Sequence, residues 1–359
     1  MIMYEKKFNQ YFSFTGMILF VILILLYITY PLIGFFSALL LLLFSKTNIK
    51  EYYIYCFMIA LGMGIVAFLY DPNYHPVGDV VIYYKKYFEF VEFDVGNVNH
   101  VFASFFYILI YFLKSFGLSP QFINFVFVFL FYYLYFTSII MIFENENIDI
   151  RLLKYFIMLI FVIYPALLLL TSSRNLLSFM FVFHGIINFT YNKKVKGIIC
   201  FLISISVHLV ALYPILVYLI SNNKKKRLPI SKSGIFLLFV FLVLVFILLR
   251  NNSLFRYYLE AKSNTYIYGR FKYYSNIRDI IYLVTILRNY LIVLWMYLYI
   301  KSSGILKRIK LLNFSKVFSV TSIFLIFYRS IFFRLSHGII LFNVYNLIIY
   351  FAKVKSKKQ

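Results

Sequence analysis

Long apolar runs without a charged residue restrict what this chain can fold into. Residues 14–44, 121–143, 155–173 and 197–221 each contain no Asp, Glu, Lys or Arg. A transmembrane helix needs about 20 consecutive apolar residues, and several of these runs reach that length. Because a helix satisfies its backbone hydrogen bonds internally, it is the element that such runs form in lipid. The sequence therefore predicts an all-α membrane protein that crosses the bilayer several times.

The composition supports this class. Hydrophobic residues make up 63% of the 359 residues and charged residues only 13%, whereas soluble domains carry about 25% charged residues. Cys56 and Cys200 both lie in apolar runs, and their number and spacing indicate neither a disulfide framework nor a metal site. The N-terminal apolar run is longer than the core of a signal peptide, so we expect a first transmembrane helix that is retained.

We predict one integral membrane domain over residues 1–359, with about 10–12 transmembrane helices. The candidate spans are 12–30, 32–45, 53–70, 100–116, 121–143, 153–171, 175–190, 197–220, 234–250, 280–300, 317–333 and 337–352.

The net charge of +24 fits a membrane protein better than a nucleic-acid-binding protein, because the aromatic residues alternate with aliphatic residues in the spans. Cytoplasmic loops of membrane proteins collect Lys and Arg, which places the clusters at 193–196, 224–227, 301–310 and 353–358 inside. Only one candidate span separates the first two clusters. Either one of them lies outside, or 197–220 enters and returns as a broken, re-entrant element around His208 and Pro214.

Two longer polar connections are predicted to lie outside the membrane. Loop 71–99 holds five acidic residues and two lysines. Its prolines end the preceding helix, and Asp79 can cap a new one. On that helix Asp79, Tyr83 and Lys86 share one face, an arrangement of acid, aromatic ring and cation that suits sugar or phosphate chemistry. The alternative is that Asp79 only caps a surface helix.

Two ionisable residues interrupt apolar segments further along the chain. Arg174 lies between two apolar runs, and a membrane-embedded arginine usually faces a bundle interior or a wet cavity. Its alternative is snorkelling at a helix end. His208 lies in the middle of a candidate span, where its near-neutral reference pKa suits acid–base work, although it could also be a histidine with purely structural hydrogen bonds.

The second outside loop, 250–279, is basic, with six Lys and Arg residues against two acidic residues. It is rich in aromatic side chains around Arg270. Arg334 and His337 add positive groups near the expected turn of the last hairpin. Guanidinium groups bind phosphate through two parallel hydrogen bonds, so this collection indicates an anionic ligand on the outer face.

The order of these features resembles the Wzy-type polysaccharide polymerases, and most closely their EpsG-like branch. The matching segments are Pro76-Val-Gly-Asp79-Val-Val-Ile-Tyr83, Arg174-Asn-Leu-Leu-Ser-Phe, the lysine-rich turn at 193–196, Ser206-Val-His208-Leu-Val-Ala211 and Arg334-Leu-Ser-His337-Gly. Asp79 is followed here by Val, and His208 by Leu, where many members have Tyr and a small residue.

The resemblance implies a glycosyltransferase at the outer face of the bacterial inner membrane. Such an enzyme joins oligosaccharide repeat units carried on undecaprenyl pyrophosphate into O-antigen, capsule or exopolysaccharide, without a metal, nucleotide sugar or other cofactor. Its expected partners are the lipid-linked oligosaccharide, membrane lipid, and the flippase and chain-length regulator of the same pathway.

The resemblance also suggests a role for each candidate residue. Asp79 or His208 would be the catalytic residue that accepts the proton of the attacking hydroxyl. The positive groups would stabilise the leaving pyrophosphate. The substrate-binding candidates are Arg174, Tyr83, Arg270, Arg334 and His337.

Three other functions remain open on the sequence. A lipid-linked oligosaccharide flippase would bind the same ligand, but should show two pseudo-symmetric halves, and the sequence contains no such repeat. A polytopic acyltransferase could use His208 as its base, but has no need for the basic, aromatic loop 250–279. A plain transporter is the third alternative.

Overall fold

The computed structural model describes residues 21–26, 29–44, 49–71, 78–92, 103–221, 287, 290–291, 293–294, 297–298, 311–323 and 329–356. Every regular element within these residues is a helix, which confirms the all-α fold class. Loop 250–279, with Arg270, lies outside the described residues, and so do parts of loop 71–99.

Twelve α-helices have defined bounds in this part of the chain. They are α1 (Pro31–Phe44), α2 (Ile49–Phe68), α3 (Gly78–Glu89), α4 (Ser104–Ser115), α5 (Gln121–Asn145), α6 (Leu153–Ile163), α7 (Ala166–Thr171), α8 (Ser173–Thr190), α9 (Lys194–Val207), α10 (Leu212–Ser221), α11 (Leu312–Ile323) and α12 (Arg329–Ser356). Two 3₁₀ helices, Ile150–Leu152 and Leu209–Ala211, precede α6 and α10.

Three stretches of the described helices are long and apolar enough to cross a membrane: Glu51–Phe68, Gln121–Asn145 and Leu335–Ala352. Shorter apolar helices cover Leu32–Phe44, Ser104–Ser115 and Leu209–Ser221. The chain is therefore an all-α membrane protein. The count of about 10–12 crossings stays a prediction.

The fold divides into two compact units. Unit 1 comprises Met1–Glu89 and Leu113–Ser173, and unit 2 comprises Phe90–Phe112 and Arg174–Gln359. The single integral membrane domain over residues 1–359 stays a prediction.

In unit 1, α2 packs closely against α5 because Gly64 lacks a side chain. A Cβ atom at Gly64 would lie 3.0 Å from ring carbons of Phe125 and 3.1 Å from Cβ of Phe129. The rings of Phe125, Phe129 and Tyr133 stack along α5 at centroid distances of 5.9 and 5.7 Å. Small residues of this kind let membrane helices approach and gain van der Waals contact.

The predicted span 153–171 is not one helix, and this corrects the sequence analysis. Helix α6 ends at Ile163, and α7 begins after Pro165. Proline has no backbone N–H and clashes with the preceding helical turn, so the helix breaks there. The Tyr132 hydroxyl donates to the Tyr164 carbonyl at 2.7 Å, which satisfies a backbone oxygen at the break.

In unit 2, helices α8 and α9 form a tight hairpin that depends on two glycines. A Cβ atom at Gly185 would lie 2.7 Å from the ring of Phe201, and one at Gly197 would lie 2.4 Å from the ring of Phe189. The turn between the helices includes Asn192 with φ 63°, a left-handed conformation that Asn tolerates well.

The predicted span 197–220 is interrupted at His208. Helix α9 ends at Val207, a 3₁₀ turn covers Leu209–Ala211, and α10 starts at Leu212. Pro214 fits in the first turn of α10, where its missing N–H costs no helical hydrogen bond. The alternative in which 197–220 enters and returns as a re-entrant element requires such a break. That this element re-enters the membrane stays a prediction.

The predicted spans 317–333 and 337–352, with a turn between them, are wrong in their bounds. Helix α12 runs without interruption from Arg329 to Ser356, so Arg334 and His337 lie within a helix and not at a turn. The segment 331–337 contains neither Pro nor Gly, and it therefore offers nothing that would end the helix.

Candidate functional site

In unit 1, Asp79, Tyr83 and Ser173 form a chain of hydrogen bonds. The Tyr83 hydroxyl donates to Asp79 Oδ2 at 3.0 Å, and Ser173 Oγ donates to the Tyr83 hydroxyl at 2.9 Å. Ser173 and Tyr83 are separated by 90 positions in sequence. The last group in this series of hydrogen bonds is the Asp79 carboxylate, which is partly exposed.

Helix α3 brings Asp79 and Tyr83 together because their spacing of four residues corresponds to about one turn. The helix begins at Gly78, so Asp79 lies in its first turn and not in the N-cap position that the sequence suggested. Its negative charge is favourable at the positive end of the helix dipole. Here the carboxylate also orients a neighbouring side chain, which a capping role alone does not require.

The Tyr83 side chain is held rigidly. It is only 1% exposed, and its ring stacks on Phe127 with centroids 5.8 Å apart and planes 24° apart. The phenol can therefore fix the direction of the Asp79 carboxylate with little loss of rotamer freedom. A carboxylate held in this way can accept a proton from a hydroxyl group that comes within hydrogen-bond distance.

Ser173 was not among the site residues predicted from the sequence. The only local signal was the pair of serines that ends an apolar run just before Arg174. Since Ser173 lies in a different helix from Tyr83, no periodicity within either segment relates the two residues.

Tyr84 follows Tyr83 in α3 and is also largely buried. Its hydroxyl donates to the Tyr70 carbonyl at 3.5 Å. Burial raises the pKa of Tyr84, and the negative charge of Asp71 raises it further. Tyr84 is therefore a neutral hydrogen-bond donor at physiological pH.

In unit 2, Arg174 lies in the first turn of α8. Its guanidinium carbon is 5.5 Å from the centroid of the Phe106 ring, a cation–π distance. The next two polar residues of the helix, Asn175 and Ser178, are 7% and 0% exposed. A partly exposed arginine in the first turn of a helix, followed by buried polar side chains, makes a favourable environment for an anion.

His208 occupies the break between α9 and α10 in an extended conformation, with φ −162° and ψ 129°. Its Nδ1 accepts a hydrogen bond from the Val210 N–H at 3.1 Å. In the neutral ring the proton then resides on Nε2. The side chain is partly exposed, so a neutral His208 presents a donor, and a second proton would go to Nδ1.

Helix α12 carries His337 and Arg334. His337 is partly exposed and is followed by Gly338, whose added Cβ would lie 3.2 Å from the Phe318 ring. The structure gives Arg334 a helical backbone. In the described part of the chain, no three His, Cys, Asp or Glu side chains come together as a metal site requires.

A polar cluster in unit 2 also escaped the sequence analysis. The Tyr297 hydroxyl lies 3.1 Å from Ser315 Oγ and 3.0 Å from Asn343 Oδ1, and Asn346 donates to both of these residues. Such hydrogen bonds between helices stabilise membrane proteins by about 0.6 to 2 kcal/mol each. Isolated Ser and Asn residues within apolar runs gave no sign that they meet.

The structure thus brings together only some of the predicted site residues. Asp79 and Tyr83 meet in unit 1, whereas Arg174, His208 and His337 belong to unit 2. The catalytic and substrate-binding roles assigned to these residues stay predictions.

Most of the chain is similar to a known protein family. A profile described as the EpsG family matches residues 52–359, which is most of the chain and includes Asp79, Arg174, His208, Arg334 and His337. No significant match was found among curated proteins or among solved structures.

Proposed function

Because the chain belongs to the EpsG family, we propose that it polymerises undecaprenyl-pyrophosphate-linked oligosaccharide units into surface polysaccharide. The reaction is glycosyl transfer at the outer face of the bacterial inner membrane. A hydroxyl oxygen of one unit forms a bond to the anomeric carbon of another chain. The bond from that carbon to the pyrophosphate oxygen breaks, and the hydroxyl proton passes to a base on the protein.

The hydrogen-bonded chain of Ser173, Tyr83 and Asp79 carries this proposal. A partly exposed carboxylate, oriented by a buried phenol, suits the removal of a proton from a sugar hydroxyl. Tyr83 fixes the carboxylate, and Ser173 fixes the phenol. Asp79 is therefore the proposed base of unit 1, and His208, with its near-neutral reference pKa, is the proposed acid–base group of unit 2.

Besides a base, the reaction needs positive groups that stabilise the departing pyrophosphate. Arg174 is the strongest candidate because it combines a guanidinium group with a helix N-terminus. Arg270, Arg334 and His337 are proposed as further substrate-binding groups. The flippase that delivers the lipid-linked units and the regulator of chain length are the proposed partners.

Deletion of the gene, followed by analysis of surface polysaccharide, tests the proposal. A polymerase acts after translocation, so its loss should leave single repeat units on the outer side, attached to the surface where the host has a ligase. A flippase acts earlier, so its loss would strand the units on the cytoplasmic leaflet. Lipid-linked units confined to the inner leaflet of the deletion strain would contradict the polymerase and support a transporter.

A further inference from the structure

A pocket lies in unit 1 beside helix α3. Its volume is about 520 Å³, within the range of roughly 300–1,000 Å³ that is usual for small-molecule sites. The residues that form its walls include Val81, Tyr84, Lys85 and Phe88 from α3, with Ser119 just before α5 and Gln121 at its start.

The pocket and the proposed base occupy opposite faces of α3. Val81, Tyr84, Lys85 and Phe88 follow the spacing i, i+3, i+4 and i+7 of a single helical face. At 3.6 residues per turn, that face is about 170° around the helix from Asp79 and Tyr83. The pocket is therefore separate from the carboxylate and does not hold the reacting atoms.

The lining of the pocket combines aromatic surface with hydrogen-bonding groups. Phe88 is 69% exposed, while Tyr84 is 8% exposed. Gln121, Ser119 and Lys85 contribute an amide, a hydroxyl and an ammonium group. Gln121 Oε1 is buried and accepts no hydrogen bond from any residue that the structure describes.

This mixture fits a sugar better than a lipid tail. An acyl chain would leave the amide and hydroxyl groups without partners, and a buried polar group without a partner is unfavourable. A sugar ring offers an apolar face to an aromatic side chain and hydroxyl groups to the amide. A volume suited to drug-sized ligands also accommodates a disaccharide.

We propose that this pocket holds sugar residues of the growing polysaccharide, away from the bond that is being made. This inference rests on the proposed polymerase function. A growing chain extends beyond the reaction centre, and a subsite that retains it favours another addition over release. Weakening the pocket should therefore shorten the product without abolishing polymerisation.

Chain length in a complemented deletion strain is the first test. Gln121→Leu removes the amide at nearly constant volume, and Val81→Trp fills the pocket from a residue that is 41% exposed and so tolerates a larger side chain. Asn145→Leu removes an amide at the other end of α5 and is the matched control. We expect both pocket variants to shorten the modal chain length several-fold, while the control keeps it.

Two results would overturn the inference in this experiment. Unchanged chain length in both pocket variants, in a host where deletion removes long chains, would refute the proposed role of the pocket and leave the polymerase function standing. Long chains that persist after deletion would refute the polymerase function and the pocket together.

Direct binding is the second test. The probes are oligosaccharides of one to three repeat units, released from the host polysaccharide and free of lipid. Saturation-transfer NMR with the full-length protein in nanodiscs should show contact to the sugar protons for the wild type and Asn145→Leu, and a weaker signal for Gln121→Leu and Val81→Trp. Equal signals in all four proteins, or no signal in any, would overturn the proposal.

Discussion

The Tyr83 hydroxyl donates to Asp79 Oδ2 at 3.0 Å and thereby fixes a carboxylate at the start of a helix. The same hydroxyl accepts from Ser173 at 2.9 Å, so its single hydrogen is directed towards Asp79. A phenol that both donates and accepts in this way has little freedom to rotate. These two hydrogen bonds predict that the Tyr83 hydroxyl and the Asp79 carboxylate are needed for activity.

Tyr83→Phe should lower activity while preserving the fold, because it removes one oxygen and keeps the ring stacked on Phe127. Loss of a hydrogen bond to a charged group is worth about 1.5–3 kcal/mol, which corresponds to roughly a 10- to 160-fold loss of rate. The measurement is polysaccharide formed per amount of membrane-inserted protein. Tyr87→Phe on the same helix removes a hydroxyl that donates to the Leu118 carbonyl; it is the matched control and should stay near wild type.

Asp79→Asn should abolish polymerisation, since an amide of the same shape is not a base. The protein should still insert at normal levels, because Tyr83 can donate to the amide oxygen as it does to the carboxylate. Glu89→Gln, at an exposed ion pair with Lys85 on the same helix, is the control for loss of a negative charge. Appreciable polymer from the Asp79→Asn strain would remove Asp79 from the mechanism.

Arg174→Lys tests whether a planar guanidinium is required. Lysine keeps the charge but lacks the two-pronged geometry that binds phosphate groups, so we expect severe loss of polymer at normal protein levels. Arg151→Lys is a suitable control because Arg151 is exposed and pairs with Asp149 at the surface. If the lysine variant at position 174 were fully active, positive charge alone would account for that residue.

Local patterns in the sequence predicted the local parts of the site. The four-residue spacing of Asp79 and Tyr83 predicted a shared helical face, and an arginine between two apolar runs predicted the start of α8. Ser173 could not be found in this way, because its contact with Tyr83 joins residues far apart in the chain. The break at Pro165 and the unbroken course of α12 were missed because hydrophobicity alone defined the spans.

Gly197→Ala should destabilise the hairpin of α8 and α9. The new methyl group would lie 2.4 Å from the Phe189 ring, so the ring or the helices must move, and overpacking of this kind typically costs about 1–3 kcal/mol. Thermal unfolding of the purified protein in detergent measures the effect. Val195→Ala, at a position that is 72% exposed, should leave the unfolding temperature nearly unchanged; equal temperatures for Gly197→Ala and wild type would show that the hairpin relaxes without cost.

Cysteine labelling tests the predicted topology and decides between its two alternatives. The native Cys56 and Cys200 are 1% and 9% exposed, so an impermeant maleimide should give little background. Val91→Cys, at a position 90% exposed after α3, should be labelled in intact cells, and Lys355→Cys in the tail only after permeabilisation. Labelling of Val91→Cys only after permeabilisation would put loop 71–99 inside and contradict an outer active face.

Val195→Cys decides between the two alternatives for 197–220, given that 222–232 lies inside. Labelling from the cytoplasm requires the broken element around His208 to re-enter the membrane. Labelling from outside makes 197–220 a single interrupted crossing.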